Sequence, residues 1–405
     1  MTGRLVIVGA GQAGFAFAAK LRTLGDSRPV TIIGAEENLP YQRPPLTKKY
    51  LLGEMAFDRL LFRPEHWYSE NNVEIRLSTW VEQIDRAAKQ VVMQDGSALA
   101  YDVLALATGA TPRRLPPSVG GALEGVYLAR DKRDADQLAS EMRAGRRVLI
   151  IGGGYIGLEA AAVARHRGLE VTLIEMADRI LQRVAAKETA DIMRAIHRKH
   201  DVVIREKTGL KQLIGKNGHV VAAELSDGST IDVDFVIVGI GVAPNDRLAK
   251  EAGLEVGNGI IVDSFARTSD PSIFAVGDCA ELPWSDGRIR LESVQNAVDQ
   301  AEAAAGIIAG GNEPYDPKPW FWSDQYDVKL QIAGFNHGYD ETLLRAGTRE
   351  GSASVWYFKE GSFIAVDAIN DAKAYVTGKK LLETGTNPAK AVLADSAADL
   401  KQLLS

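Results

Sequence analysis

Apolar residues along the chain gather into two blocks that read alike. "RLVIVGAGQAGFAFAAKLRTLG" runs from Arg4 to Gly25, and "RVLIIGGGYIGLEAAAVARHRGLEVTLIE" from Arg147 to Glu175. Each opens with a short β-branched run, which predicts a buried strand. Each then has a G-x-G-x-x-G turn, an apolar helical stretch and a second strand. In the first block the helix should reach about Leu24 and the second strand should be Val30–Ile33. An irregular Pro-rich segment, "LPYQRPPLTK", follows from Leu39 to Lys48. Residues 73–104 alternate strand signals with turns such as Gln94-Asp95-Gly96. "YDVLALATGATP" ends a strand at Thr108-Gly109, and "DFVIVGIGVAPN" closes the second block in the same way. From about Trp320 the pattern becomes that of antiparallel strands, and Asn387 to Leu404 reads as short helices.

Composition narrows the function classes. The chain has 405 residues, 46% hydrophobic and 25% charged, with a net charge of −6. A chain of this length should form roughly two to four domains. Without clustered Lys and Arg it is not expected to bind nucleic acid. No apolar run approaches the ~20 residues of a membrane span. The chain enters a strand by Arg4, so a cytosolic location without a signal peptide is expected. The one cysteine, Cys279, excludes an intrachain disulfide and a CxxC redox pair. It reads as a small buried filler. No metal site is expected.

The chemistry of the two turns follows from their glycines. Such glycines permit a tight strand-to-helix turn and close approach of backbone to a pyrophosphate, which the helix N-terminus then faces. The first turn is Gly9-Ala10-Gly11-Gln12-Ala13-Gly14. The second places Gly152, Gly154, Tyr155, Ile156 and Gly157. Two such turns imply two dinucleotides, most usefully a hydride donor facing an acceptor. Glu175 ends the second strand of the second block. A carboxylate there accepts from a ribose 2′-OH and repels a 2′-phosphate, which favours NADH, although Arg179 and Arg183 nearby could receive a phosphate. In the first block the slot falls at Gly34–Ala35, and Glu36 is the candidate ribose acid just beyond it.

Three further motifs accompany the first turn: "ALATGATP", "PYQRPPLTK" and "FAVGD" preceded by Thr268. Together they resemble the two-dinucleotide-binding flavoprotein family, which carries FAD on the first unit and NAD(P)H on the second. "RPPLTK", "RLESVQNAVDQA" and "PWFWSDQ" narrow the match to the NADH-dependent ferredoxin reductases of oxygenase systems, over essentially the whole chain. The resemblance implies an α/β fold with two Rossmann-like dinucleotide-binding domains and a C-terminal α+β domain built on an antiparallel sheet. It implies a discontinuous FAD domain over 1–110 and 240–318, an NADH domain over 111–239 and an interface domain over 319–405.

The resemblance also assigns roles. Asp278, after Gly277, contacts the ribityl–pyrophosphate part of FAD. Val81, Ala107, Thr108, Gly109, Arg43, Pro44 and Arg130 also line FAD, and the backbone of Glu292, Ser293 and Val294 meets the flavin pyrimidine edge. Lys48 and Glu159 form an ion pair near flavin N5, with Glu159 expected in the first turn of its helix. Ile156 and the turn Gly239-Ile240-Gly241 line the nicotinamide side. Trp322 lies where the ferredoxin docks, while Trp320 is expected in the core of the sheet. The implied partner is a 2Fe–2S ferredoxin that serves a haem-thiolate monooxygenase, and the implied state is a monomer or weak dimer.

Two departures matter. Disulfide reductases of the superfamily place a Cys-x4-Cys pair beside the flavin, and related peroxidases and oxidases a single Cys. This chain has Arg43-Pro44-Pro45 there, so electrons on the flavin must pass outward. Ala35 stands where relatives often have an acid. The alternative function is an NADH oxidase, or a reductase of a quinone or radical, with the same cofactor motifs.

Overall fold

The two apolar blocks build two parallel sheets of the same design. The computed structural model describes residues 3–285 and 287–404. Leu5–Val8 forms the middle of the first sheet and is buried throughout, as a strand covered on both faces must be. Val103–Leu106 and Val30–Ile33 flank it, and Ile273–Ala275 and Val73–Arg76 are the edges, all parallel. In the second sheet Arg147–Ile151 lies between Phe235–Val238 and Glu170–Ile174. Val126–Tyr127 and Val203–Arg205 are its edges. In both sheets the central strand lies between the second strand of its block and the strand that closes the block. The edge beside that closing strand comes after it in the chain in the first sheet (Ile273–Ala275) and before the central strand in the second (Val126–Tyr127). The crossovers are the helices Gln12–Thr23 and Tyr155–His166.

The C-terminal strands run antiparallel in the order Trp320–Gln325, Val328–Gly334, Ser362–Ile369, Ala353–Lys359, Glu341–Ala346. The helix Ala372–Thr384 covers one face, burying Ala374 and Leu381 against Trp356 and Val366. Two short helical turns, Lys390–Ala394 and Leu400–Leu404, follow. The fold is thus α/β with a C-terminal antiparallel sheet domain.

The chain packs as two units. One comprises Met1–Gln42, Phe57–Thr111 and Val242–Pro317, and the other Arg43–Ala56, Pro112–Gly241 and Lys318–Ser405. Arg43–Ala56 lies within the stretch 1–110 assigned to the FAD domain by sequence, yet it packs with the second unit. The reason is local: Leu51 joins the core of the second parallel sheet, and Arg167 donates to the Leu52 carbonyl at 2.5 Å. Leu330, Ile332 and Ile369 of the antiparallel sheet share that same core with Ile150 and Leu173. No helix among the described residues is long and apolar enough to cross a membrane.

Candidate functional site

Each glycine turn is shaped by contacts that exclude a side chain. Gly9 has φ 121°, and a Cβ on it would lie 2.1 Å from the Ala107 carbonyl oxygen. A Cβ on Gly14 would lie 2.0 Å from the Gly9 oxygen. The second turn repeats this: a Cβ on Gly152 (φ 108°) would be 2.3 Å from the Gly239 oxygen, and one on Gly157 would be 2.0 Å from the Gly152 oxygen. The middle glycines differ. Around Gly11 and Gly154 no described residue apart from the chain neighbours comes within 4 Å of an added Cβ. Both are helix N-caps without a side-chain cap, whereas Asp131, Ser293 and Asp371 cap three other long helices. Each turn therefore presents uncapped N–H groups to open space, a fit for a pyrophosphate.

The acids at the strand ends are held differently. Glu175 accepts from the Gly153 N–H at 2.7 Å and from the Ala177 N–H at 2.8 Å. Of the two nearby arginines, Arg179 donates to the Ala185 carbonyl at 2.8 Å, while Arg183 is exposed with its guanidinium close to Gly241. Glu36 accepts from the Tyr41 hydroxyl at 2.5 Å, and Ala35 beside it is exposed.

In the first unit Thr108 donates to the Asn245 carbonyl at 2.7 Å, and Gly109 takes φ 69°. Gly277, Asp278 and Cys279 form a single 3-10 turn. Its Gly277 N–H donates to Gln300 at 2.8 Å, and Asp278 is half-buried. Cys279 is fully buried, its thiol reaching the Val276 and Leu106 carbonyls, and burial pushes its pKa up. Glu292 is exposed and paired with Arg290 at 2.6 Å. Ser293 caps the helix that starts at Val294. The Val81 side chain is buried, opposite Met93.

The second unit brings Lys48 and Glu159 together. Lys48 Nζ donates to Glu159 Oε2 at 2.5 Å, and Thr47 donates to the same oxygen at 3.2 Å. Ser323 donates to the other oxygen, Oε1, at 2.7 Å. Glu159 is 3% exposed. The helix begins at Tyr155, so Glu159 lies in the second turn, not the first as its sequence suggested. It is a buried ion-pair partner and not an acid serving the helix dipole. Arg43 donates to the Arg130 carbonyl at 3.1 Å, and Pro44 opens the 3-10 turn that ends at Thr47. Ile156 is 46% exposed, unusual for its type. Gly239, Ile240 and Gly241 are half-buried.

Trp322 is half-buried, with its ring 5.6 Å from that of Trp320. Trp320 is half-buried as well, under Lys379 at 5.5 Å, and is not the core residue its sequence suggested. Sequence reasoning missed Thr47, Ser323 and the residues behind Ser323. Their signal was present in "WFWSDQ": alternation puts Ser323 and Gln325 on the strand face opposite Trp322.

Comparisons with known proteins agree with this architecture. The family model for pyridine nucleotide-disulphide oxidoreductases matches residues 3–301, and that for the reductase C-terminal domain matches residues 320–404. A ferredoxin–NAD(P)(+) reductase of Sphingomonas sp is 43% identical, over 98% of this chain and 95% of its own. A rubredoxin-NAD(+) reductase of Pseudomonas putida is 40% identical, over 90% of this chain and 95% of its own. The reductase in the covalent putidaredoxin reductase–putidaredoxin complex superposes with a TM-score of 0.96 at 37% identity. That match covers 99% of this chain and 98% of the other.

Proposed function

The chain belongs to the pyridine nucleotide-disulphide oxidoreductase family, and from that premise we propose that it is an FAD-dependent NADH:ferredoxin oxidoreductase. The observation that carries this reading is its single cysteine. A family named for a disulphide here has one buried thiol and no second cysteine to pair with it. Electrons taken from a pyridine nucleotide must therefore leave the chain. Relatives named for ferredoxin and rubredoxin support a small iron protein as the acceptor. The acceptor inferred is a 2Fe–2S ferredoxin, which in turn serves a haem-thiolate monooxygenase. The chain acts in the cytoplasm as a monomer or weak dimer.

The residues fit both cofactors. Gly9, Gly11, Gly14, Glu36, Thr108 and Asp278 would hold FAD, and Gly152, Gly154, Gly157 and Glu175 would hold NADH. When bound, FAD accepts the electron pair of a hydride and gives electrons up singly. Lys48 would offer a cation to negative charge on a reduced flavin. Glu159, fixed by Thr47 and Ser323, holds that cation in place. Glu175 would accept from ribose hydroxyls and would repel a 2′-phosphate.

Stopped-flow absorbance tests the proposal. NADH should bleach the flavin band at least about tenfold faster than NADPH does, given one misplaced charge at the ribose. A 2Fe–2S ferredoxin should then restore the band quickly. Recovery only with oxygen or a quinone would overturn the ferredoxin partner.

A further inference from the structure

Behind Glu159 runs a line of buried polar side chains that the cofactor motifs do not account for. Ser323 and Gln325 sit two apart on one face of the strand Trp320–Gln325, and His197 lies in the last turn of the helix Lys187–Lys199. The direction of each hydrogen bond follows from the carboxylate. A carboxylate only accepts, so Ser323 Oγ donates to Glu159 Oε1 at 2.7 Å. The Ser323 oxygen then accepts from Gln325 Nε2 at 3.0 Å. That turns Gln325 Oε1 to His197 Nε2, 2.7 Å away, and this ring nitrogen must carry the proton. His197 Nδ1 is left to accept from the Tyr326 hydroxyl at 3.3 Å. Every donor in the line points toward Glu159, an alignment in which successive bonds polarise one another.

Glu159, Ser323, Gln325 and His197 are each at most 3% exposed. Burying such groups is unfavourable unless each is satisfied, and here each is. Burial pushes the His197 pKa down to about 4, which keeps the ring neutral and able to accept from Tyr326. Tyr326 occupies the hairpin tip with φ 56°, a left-handed backbone that an aromatic residue disfavours. Its ring stacks on His200 at 3.7 Å. A carboxamide does not pass protons along a chain, so Gln325 makes this a mechanical link and not a proton wire.

We propose that Tyr326, His197, Gln325 and Ser323 form a strut that positions the Glu159 carboxylate, and through it the Lys48 ammonium, for hydride transfer. The role rests on the function proposed above. These four are positioning residues.

The test uses the FAD-loaded chain. Histidine-selective 15N spectra should show a neutral His197 ring protonated at Nε2, and that signal should shift in Ser323→Ala. In stopped flow, His197→Phe and Gln325→Leu should slow flavin reduction by NADH about tenfold, as a small misplacement does, with NADH affinity unchanged. His197→Gln keeps an N–H for Gln325 and should recover most of the rate. A His197 proton on Nδ1, or folded His197→Phe and Gln325→Leu variants that reduce at the wild-type rate, would overturn the strut. If His197→Phe does not fold, Gln325→Leu decides by the same criterion. If the wild type is not reduced by NADH, the proposed function fails and the ring proton alone decides. An Nε2 proton that responds to Ser323→Ala then supports the strut, and an unresponsive one overturns it.

Discussion

The first glycine turn sets Ala10 against Gly34, whereas the second sets Gly153 against Glu175. These are equivalent positions of the repeat, and the residues are exchanged in size. In the first turn a Cβ on Gly34 would lie 2.5 Å from the Ala10 Cβ. In the second, a Cβ on Gly153 would lie 2.7 Å from the Ile180 Cγ2 and 3.3 Å from the Glu175 Cβ, and the Gly153 N–H donates to the Glu175 carboxylate at 2.7 Å. A second pair of equivalent positions differs too. Ala16, two residues past Gly14, packs in an alanine-lined core with Ala297 and Ala301. Glu159, two residues past Gly157, is a buried acid paired with Lys48. One backbone device thus serves two purposes, set by a few side chains around it.

The strongest way to break this comparison is at the shared last glycine. Gly14→Ala and Gly157→Ala each drive a Cβ to 2.0 Å from a carbonyl oxygen. Each should cost more than about 3 kcal/mol, read by urea denaturation. Tolerance of one but not the other would show that the turns are not equivalent.

The buried charges sharpen the comparison next. Among the described residues the buried charged side chains Glu159, Arg345 and Asp367 all belong to the second unit. Asp367 accepts at Oδ2 from Tyr357 and from Thr189, while its Oδ1 has no hydrogen-bond partner among the described residues. Burial raises its pKa from 3.8 to about 6. The folded chain therefore holds this proton more tightly than the unfolded chain. That contribution is complete below the unfolded value and is lost as pH rises through 6, about 3 kcal/mol in all. His197 has the opposite sign: its contribution is present above the unfolded value of 6.5 and is lost as pH falls through about 4. Asp367→Asn should flatten the first dependence and leave the second, as seen in denaturation midpoints between pH 4 and 8.

Smaller effects come from the exchanged pair. Gly34→Ala should destabilise by about 2 kcal/mol through overpacking, and Ala10→Gly on that background should restore most of it. A double-mutant cycle without coupling would contradict the exchange. Glu175→Ala should weaken NADH binding about tenfold, or about 1.4 kcal/mol, and NADPH binding less. Titration calorimetry with both nucleotides reads this directly.

Much of the molecule was legible in sequence because its glycines are sterically forced. Gly9, Gly14, Gly152 and Gly157 leave a letter pattern, and the strands beside them are continuous apolar runs. The Gly277-Asp278 turn and the antiparallel pattern after Trp320 were also visible. Less legible was whatever depends on contacts distant in sequence. The packing of Arg43–Ala56 with the second unit turns on Leu51, one apolar residue in an irregular segment. The depth of Glu159 depends on Lys48, Thr47 and Ser323, which come from two other parts of the chain. His197 reads as an ordinary member of an amphipathic helix until Gln325 is placed against it. Alternation in "WFWSDQ" hinted at an inward polar face, but not at what it would meet.

The most direct test of the proposed function is stoichiometric. The FAD-loaded chain is mixed anaerobically with limiting NADH and excess 2Fe–2S ferredoxin, and the reduced ferredoxin is counted. A converter of hydride pairs into single electrons should yield about two reduced ferredoxins per NADH. NADH consumed with no ferredoxin reduced, and peroxide formed once air is admitted, would contradict it.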